Sequence, residues 1–198
     1  MSKISQTDYP VHKLISQRWS PYGFDEKQVS EEVLCSLFEA ARWAASSYNE
    51  QPWSFIVAMK DQAVEFEKIV SCLVEANQTW AKQASVLVLC CTKLHFERNG
   101  KENAAAIHDL GLAVGNLSFE ATSRGLSLHQ MIGIYPEKAE ELFQIPDGIR
   151  VLTAIAIGYP ADPDSLPHEL RIRDQSPRSR KPLNEFVFRS NWGENALA

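Results

Sequence analysis

The sequence lacks the residue patterns that mark most metalloproteins and many hydrolases. Its four cysteines form no CxxC pair and no cluster with histidine at metal-ligand spacing. It also has no Walker loop and no GxGxxG, GxSxG or HExxH motif, and no nucleophile is marked by a neighbouring histidine. We therefore expect no metal site and no hydrolase, and we interpret Cys35, Cys72, Cys90 and Cys91 as buried reduced thiols.

Positive charge and long apolar runs are also scarce. Lys and Arg number 20 against 25 Asp and Glu, a net charge of -5 that argues against general nucleic-acid binding. No apolar run approaches the ~20 residues of a membrane span, and the N-terminal stretch MSKISQTDYPVHKL lacks the apolar core of a signal peptide. We expect a cytoplasmic protein that binds neither nucleic acid nor membrane.

Helical and strand patterns alternate along the chain, which is long enough for one large domain. The patterns predict helices at about 11–18, 31–45, 62–76, 103–124 and 136–143, and strands at 55–59, 86–91, 126–131 and 151–157. Residues 86–91 are apolar throughout, as in a strand covered on both faces. After Tyr159 the chain becomes proline-rich and loses its periodicity. These features predict a single α/β or α+β domain over 1–198, with 160–198 as a C-terminal arm.

The helix predicted over 103–124 is apolar on more than one face and carries Gly111, Ala113 and Gly115. It is predicted either to form the centre of the domain or to belong to a subunit interface. The GxxxG spacing is not a membrane dimer motif, because polar residues such as Asp109 interrupt the helix. The small residues instead predict close helix packing.

Two basic clusters and one polar loop are the features that suggest a ligand. Arg18-Trp19-Ser20 and 178–181 (RSRK) combine arginine forks with serine hydroxyls, which suit a phosphate group. The loop 46–53 (SSYNEQPW) joins a helix to a strand without glycine and places several polar side chains close together. A single arginine would more often form a surface ion pair, but the three features together favour a ligand site.

Several segments, taken in order along almost the whole chain, resemble the FMN-dependent nitroreductases and flavin reductases. They are RWSPYGFD (18–25), AARWAASSYNEQPWSFIV (40–57), Asn77 ahead of its strand, GLSLHQMIGI (125–134), IGYP (157–160) and RSRKPLNEFV (178–187). The resemblance implies an α+β three-layer sandwich in which helices flank a central mixed sheet, with an extended C-terminal arm. It also implies a homodimer with FMN sites at the interface.

The resemblance further implies three groups of FMN contacts and no catalytic side chain. The group at the phosphate and ribityl end is Arg18, Trp19, Ser20, Arg178 and Arg180, and Tyr22, just after this turn, is a further cofactor contact. The group that reaches the FMN bound mainly by the other subunit is Ser46, Ser47 and Asn49. The group at the flavin ring is Asn77, Gln130, Met131, Ile132 and Gly133, with Gly133 allowing close backbone approach.

Simpler structural roles compete with some of these assignments. Met131 and Ile132 fit buried strand residues equally well, and Trp53 fits a core anchor better than a ligand contact. Gln51 fits a residue that braces its loop through backbone bonds. His129 fits a structural histidine somewhat better than a proton donor.

The implied activity is NAD(P)H-driven, ping-pong reduction of nitroaromatics, quinones or similar electron-poor acceptors. The alternatives are another flavin reaction on the same fold, such as dehydrogenation or dehalogenation, and a flavin-binding protein without turnover. Tyr22 and Trp80 stand where better-characterised members often carry a cation, and losing that cation would tend to lower the flavin's reduction potential. The preferred nucleotide, the physiological acceptor and any crossing of the arm to the partner subunit remain open.

Overall fold

The fold, seen in a computed structural model that describes residues 3–194, places a four-stranded sheet between two layers of helices. The helices are α1 (Lys13–Gln17), α2 (Glu31–Arg42), α3 (Ala63–Ser71), α4 (Glu75–Ala81), α5 (Ala106–Ser123), α6 (Pro136–Phe143) and α7 (His168–Gln175). The strands are β1 (Trp53–Met59), β2 (Val86–Lys93), β3 (Ser127–Met131) and β4 (Ile149–Gly158). Within 3–194, no helix is both long and apolar enough to cross a bilayer.

The strand order is β1-β2-β4-β3, and alternate residues of the central strands enter two separate cores. On β2, Leu87 and Leu89 face a core that includes residues of α3, α4 and α6, whereas Val86 and Val88 face a core built with α2 and α5. The predicted α+β three-layer sandwich is confirmed. One detail is corrected: the resemblance implied a mixed sheet, whereas the ladders among residues 3–194 are all antiparallel.

The helix predicted over 62–76 is two helices, α3 and α4, separated at Cys72–Val74. The break has a tertiary cause. Leu73 pairs with Ile134, the N–H of Val74 donates to the carbonyl of Gly133 (3.1 Å), and the carbonyl of Cys72 accepts from Tyr135 (2.7 Å). These hydrogen bonds to the segment after β3 pair the backbone N–H and C=O groups that a continuous helix would pair internally.

Two further expectations need correction. The arm, for which no helix was predicted, contains helix α7. Its sequence HELRIRDQ has only two apolar residues, too few to give a helical pattern. The cysteines are all free thiols, but only three are buried and Cys35 is exposed on α2. Burial raises the pKa of Cys90 to about 12 and that of Cys91 to about 11, so these two thiols are inert.

Helix α5 has one buried face and one exposed face. Its buried residues, such as Leu110 and Leu117, pack against the sheet and α2. On the other side Ile107 and Phe119 are exposed, and no atom lies within 4 Å of the Cβ position at Gly111 or Gly115. Ala113 is buried in the core, whereas the two glycines face open space among the described residues and leave a shallow, partly apolar stripe along the helix.

Candidate functional site

Arg18 and Ser20 form one corner of the site, at the point where α1 ends. The Arg18 guanidinium donates to Ser20 Oγ at 3.1 Å. Burial lowers the pKa of Arg18 from its ordinary value, and the nearby charges of Arg178 and Arg180 lower it further. None of these three guanidinium groups forms an ion pair with a carboxylate in the described part of the chain. The corner therefore concentrates positive charge.

Arg178 holds the arm against the N-terminal segment. Its guanidinium donates to the carbonyls of Lys3 (2.7 Å), Ser16 (2.8 Å) and Arg18 (2.8 Å). Arg180, which is exposed, makes only a local bond to the carbonyl of Ser179 among residues 3–194. The structure thus gives the two arginines different surroundings: Arg178 is committed to backbone carbonyls, whereas most of the donors of Arg180 remain available to a ligand.

Asp174 is a second attachment point of the arm, and sequence reasoning missed it. Its carboxylate is 4% exposed and accepts from the N–H groups of Tyr22 (2.8 Å) and Gly23 (3.3 Å). Burial raises the pKa of Asp174, although these two bonds oppose the rise. A single aspartate in a polar stretch carries no signal that distinguishes it from a solvated residue.

Tyr22 and Trp80, the two positions that depart from the family pattern, lie in one aromatic cluster with His129. The ring of Tyr22 meets that of Trp80 edge to face at 5.1 Å between centroids and that of His129 at 4.7 Å. The rings of Trp80 and His129 are 4.4 Å apart. The two departures are therefore one packing unit rather than two independent losses of a cation.

His129 is oriented by the backbone. Its Nδ1 lies 2.7 Å from the carbonyl of Pro21, which can only accept, so the Nδ1–H donates. Burial lowers the pKa of His129, and Arg18 lowers it further, while the Pro21 bond and Asp174 act in the opposite direction. The side chain is neutral near pH 7, which supports the structural role over that of a proton donor.

We expect His129 to make the protein less stable as the pH falls from about 7.5 to about 5.5. The unfolded chain protonates this histidine near 6.5 and the folded chain at lower pH, so between these values the unfolded state binds more protons. Urea unfolding across this range should show a shallower decline for His129→Gln than for the wild type. The exposed His168→Gln serves as control, and equal slopes in all three proteins would contradict the assignment.

The segment predicted to pass the flavin ring is attached to α4. Asn77 Nδ2 donates to the carbonyl of Gly133 at 3.0 Å. A Cβ at Gly133 would lie 2.7 Å from that nitrogen and 2.8 Å from Val74 Cγ2, so α4 itself requires glycine here. Met131 is buried in the core, whereas Gln130 is exposed and Ile132 is 87% exposed. The face available to a ligand therefore consists of Gln130, Ile132 and backbone.

The polar loop 46–51 is held in a strained conformation. Tyr48, Asn49 and Gln51 have φ values of 53°, 56° and 52°, in the left-handed region that non-glycine residues rarely adopt. The N–H of Ser47 donates to the buried carboxylate of Asp109 (2.9 Å), which fixes the loop to α5. Strain of this kind persists only where surrounding contacts over-determine it, and it is concentrated at functional sites.

Gln51 braces the loop through hydrogen bonds and Trp53 anchors it to the core, which are the structural roles that the sequence favoured for them. The N–H of Gln51 donates to Ser46 Oγ (3.0 Å), and its side chain donates to the carbonyl of Asn49 (3.1 Å). Trp53 starts β1 and packs against the core shared by α2 and α5. In this structure the hydroxyl of Ser46 is therefore already an acceptor within its own loop.

The predicted contacts form two separate regions in one chain. The phosphate group and the ring group meet where Pro21 and Tyr22 contact His129. The loop 46–51 instead precedes β1, at the opposite sheet edge from β3. Three strand spacings separate these edges by roughly 14 Å. One chain therefore does not bring the loop against the other two groups.

The family comparison completes this picture. The family model described as the nitroreductase family matches residues 15–159, well over half of the 198 residues. The chain belongs to the nitroreductase family. The resemblance drawn from the ordered motifs is thereby confirmed, although the matched region ends before the arm.

Individual relatives match this nitroreductase-family chain over most of its length. A crystal structure described as an oxidoreductase containing FMN is 36% identical, with a TM-score of 0.91, and the match covers 98% of this chain and 99% of that one. A Methanothermobacter thermautotrophicus protein, named as a candidate NADH dehydrogenase/NAD(P)H nitroreductase, is 30% identical over 165 residues, covering 81% of each chain. The major NAD(P)H-flavin oxidoreductase of Aliivibrio fischeri is 26% identical over 219 aligned positions, covering 90% of this chain and 98% of that one. The nitroreductase-like fold is confirmed.

Proposed function

We propose that this protein is an FMN-dependent oxidoreductase that takes hydride from NADH or NADPH and reduces electron-poor acceptors such as nitroaromatics or quinones. The observation that carries the proposal is the corner of Arg18, Arg178 and Arg180, where three guanidinium groups converge beside Ser20 without an acidic partner in the described chain. The relatives that contain FMN or act as flavin oxidoreductases support it.

The residues present fit FMN. A phosphate dianion at the arginine corner would offset the mutual repulsion of the guanidinium groups, and Ser20 adds a hydroxyl. In this assignment Arg18 and Arg180 contribute charge directly, and Arg178 fixes the backbone turn that carries Arg18. Exposed Gln130 and Ile132, with the intervening backbone, offer a surface for the ring.

The chemistry needs no acid or base from the protein. Bound FMN would accept hydride and pass electrons to the acceptor, as cofactors do in other oxidoreductases. Protons would come from solvent, in keeping with a neutral His129 whose Nδ1–H is already donated to Pro21. The contribution of the side chains is to bind the phosphate and orient the ring.

A second copy of the chain would complete the site. The loop carrying Ser46, Ser47 and Asn49 lies at the opposite sheet edge from β3, so it would contact the flavin held by a partner. The exposed stripe of α5, open at Gly111 and Gly115, offers a surface along which helices can pack closely. Sedimentation at micromolar concentration should give a dimer, and a monomer that retains FMN would contradict this part of the proposal.

The deciding experiment is spectroscopic. Purified protein is incubated with excess FMN, desalted, and mixed anaerobically with NADH or NADPH, after which a quinone or nitroaromatic is added. We expect flavin to be retained, bleached by at least one nucleotide and reoxidised by the acceptor. Colourless protein would refute FMN binding, and bound flavin that neither nucleotide bleaches would favour a different flavin reaction or a protein without turnover.

Arg180→Ala should weaken FMN binding by about 1.5–3 kcal/mol, the usual contribution of a hydrogen bond to a charged group. The free energy of unfolding of the apoprotein should change little, because Arg180 is exposed and, within the described part of the chain, bonds only to Ser179. Fluorescence titration with FMN measures the first quantity and urea unfolding the second. Arg189→Ala, an equal charge change farther along the arm, is the control. Unchanged FMN affinity in Arg180→Ala would remove Arg180 from the site.

A further inference from the structure

Arg98 lies beside the strained loop, in a cluster with two aromatic rings. Its guanidinium carbon is 3.9 Å from the centre of the Tyr48 ring and 5.1 Å from that of Phe96. The two rings meet edge to face at 5.9 Å. Because Tyr48 stands between Ser47 and Asn49, this positive charge lies immediately beside the residues assigned to the partner's flavin.

The cluster is fixed at several points. A Glu50 carboxylate oxygen accepts from the N–H of Glu97, and the carbonyl of Pro52 accepts from the N–H of Lys93 (2.9 Å). These bonds join the loop to the turn that carries Phe96 and Arg98. Contact with the face of the Tyr48 ring, at 3.9 Å from its centre, further limits the directions in which the guanidinium can point.

The charge of Arg98 has no acidic partner among residues 3–194. The neighbouring Glu97 is paired with Lys93 (2.9 Å), and Glu50 is engaged with the backbone. A guanidinium that stacks on a ring through its face keeps the N–H groups along its edge for an acceptor in its own plane. Phosphate oxygens match that fork.

We propose that Arg98 is a specificity-determining residue that binds the phosphates of the pyridine nucleotide. This rests on the proposed function, with the added premise that donor and acceptor occupy the same face of the flavin in turn. Both NADH and NADPH carry phosphates, whereas a neutral quinone carries none. A fixed cation beside that face therefore strengthens binding of the donor and leaves binding of a neutral acceptor unchanged.

The test separates the two half-reactions of the FMN-loaded protein. In anaerobic stopped-flow reduction, Arg98→Ala should raise the Kd of the nucleotide about tenfold or more, and Arg98→Glu should raise it further. Calorimetric titration with NADP+, which involves no turnover, should show the same order of affinities: wild type tightest, then Arg98→Ala, then Arg98→Glu. Raising the ionic strength should weaken nucleotide binding more in the wild type than in Arg98→Ala. Reoxidation by a neutral quinone and the Kd for FMN should stay within about twofold of wild type.

Arg42→Ala is the matched control, because Arg42 is also an exposed arginine against an aromatic ring, on α2 at 5.9 Å from the ring centre of Trp43. It should behave as wild type. The proposal is overturned if Arg98→Ala leaves nucleotide binding unchanged, if FMN and quinone are affected as strongly as the nucleotide, or if only an anionic quinone sulfonate loses affinity. Wild-type protein that neither nucleotide reduces would instead refute the proposed function itself.

Discussion

Trp80→Ala is expected to lower the free energy of unfolding by about 3–5 kcal/mol, the range for removing a large buried aromatic side chain. Trp80 is 1% exposed and contacts three other rings: Tyr22 at 5.1 Å, Phe24 at 6.5 Å and His129 at 4.4 Å. The lost volume lies against the Tyr22 ring, two residues after Ser20 in the sequence. FMN affinity should therefore fall together with stability.

Urea unfolding and FMN titration on the same variants measure both effects. Trp80→Phe keeps an aromatic ring in the cluster, so it should lose less stability and less FMN affinity than Trp80→Ala. Trp192→Ala removes an indole that is 92% exposed, so its effect should stay within about 0.5 kcal/mol. A loss below about 1 kcal/mol in Trp80→Ala would mean that the cluster does not support the turn.

The secondary structure shows which features sequence pattern alone can predict. Periodicity and apolar runs located every strand and most helices, because those signals arise from burial on one or two faces. The single helix predicted over 62–76 was wrong, because Cys72–Val74 contain no glycine or proline and are diverted by pairing with 133–135. A break caused by a segment some 60 residues away leaves no local trace.

The candidate site also contains features that the sequence motifs predict and features that they miss. Ordered motifs predicted FMN contacts at the Arg18 turn and the polar loop, which stay predictions, and the family that they imply is confirmed. They assigned Arg178 to the phosphate, whereas its donors reach three backbone carbonyls in the structure. They gave no indication of Asp174 or of Arg98, whose roles depend on contacts with residues distant in the sequence. Such partners become visible only when the chain is folded.

Arg178→Ala is expected to lower the free energy of unfolding of the apoprotein by about 2–4 kcal/mol. The substitution removes three hydrogen bonds from a charged donor, to the carbonyls of Lys3, Ser16 and Arg18. The estimate lies below the sum of three such bonds because the site is only partly buried, so water can satisfy some of the carbonyls. Asp174 would still tie the arm to the Tyr22–Gly23 turn, as would the bond from the N–H of Ala161 to the carbonyl of Gly23 (3.1 Å).

Comparison with Arg180→Ala distinguishes a residue that positions the site from one that binds the ligand. Both variants lose one positive charge near Arg18, so a purely electrostatic effect on FMN affinity should be similar in the two. Only Arg178→Ala should also destabilise the apoprotein and increase proteolysis between 176 and 194, where the arm is released. If Arg178→Ala weakens FMN binding but leaves apoprotein stability and proteolysis at wild-type values, then Arg178 is a direct phosphate ligand and its bonds to the backbone carbonyls do not hold the arm.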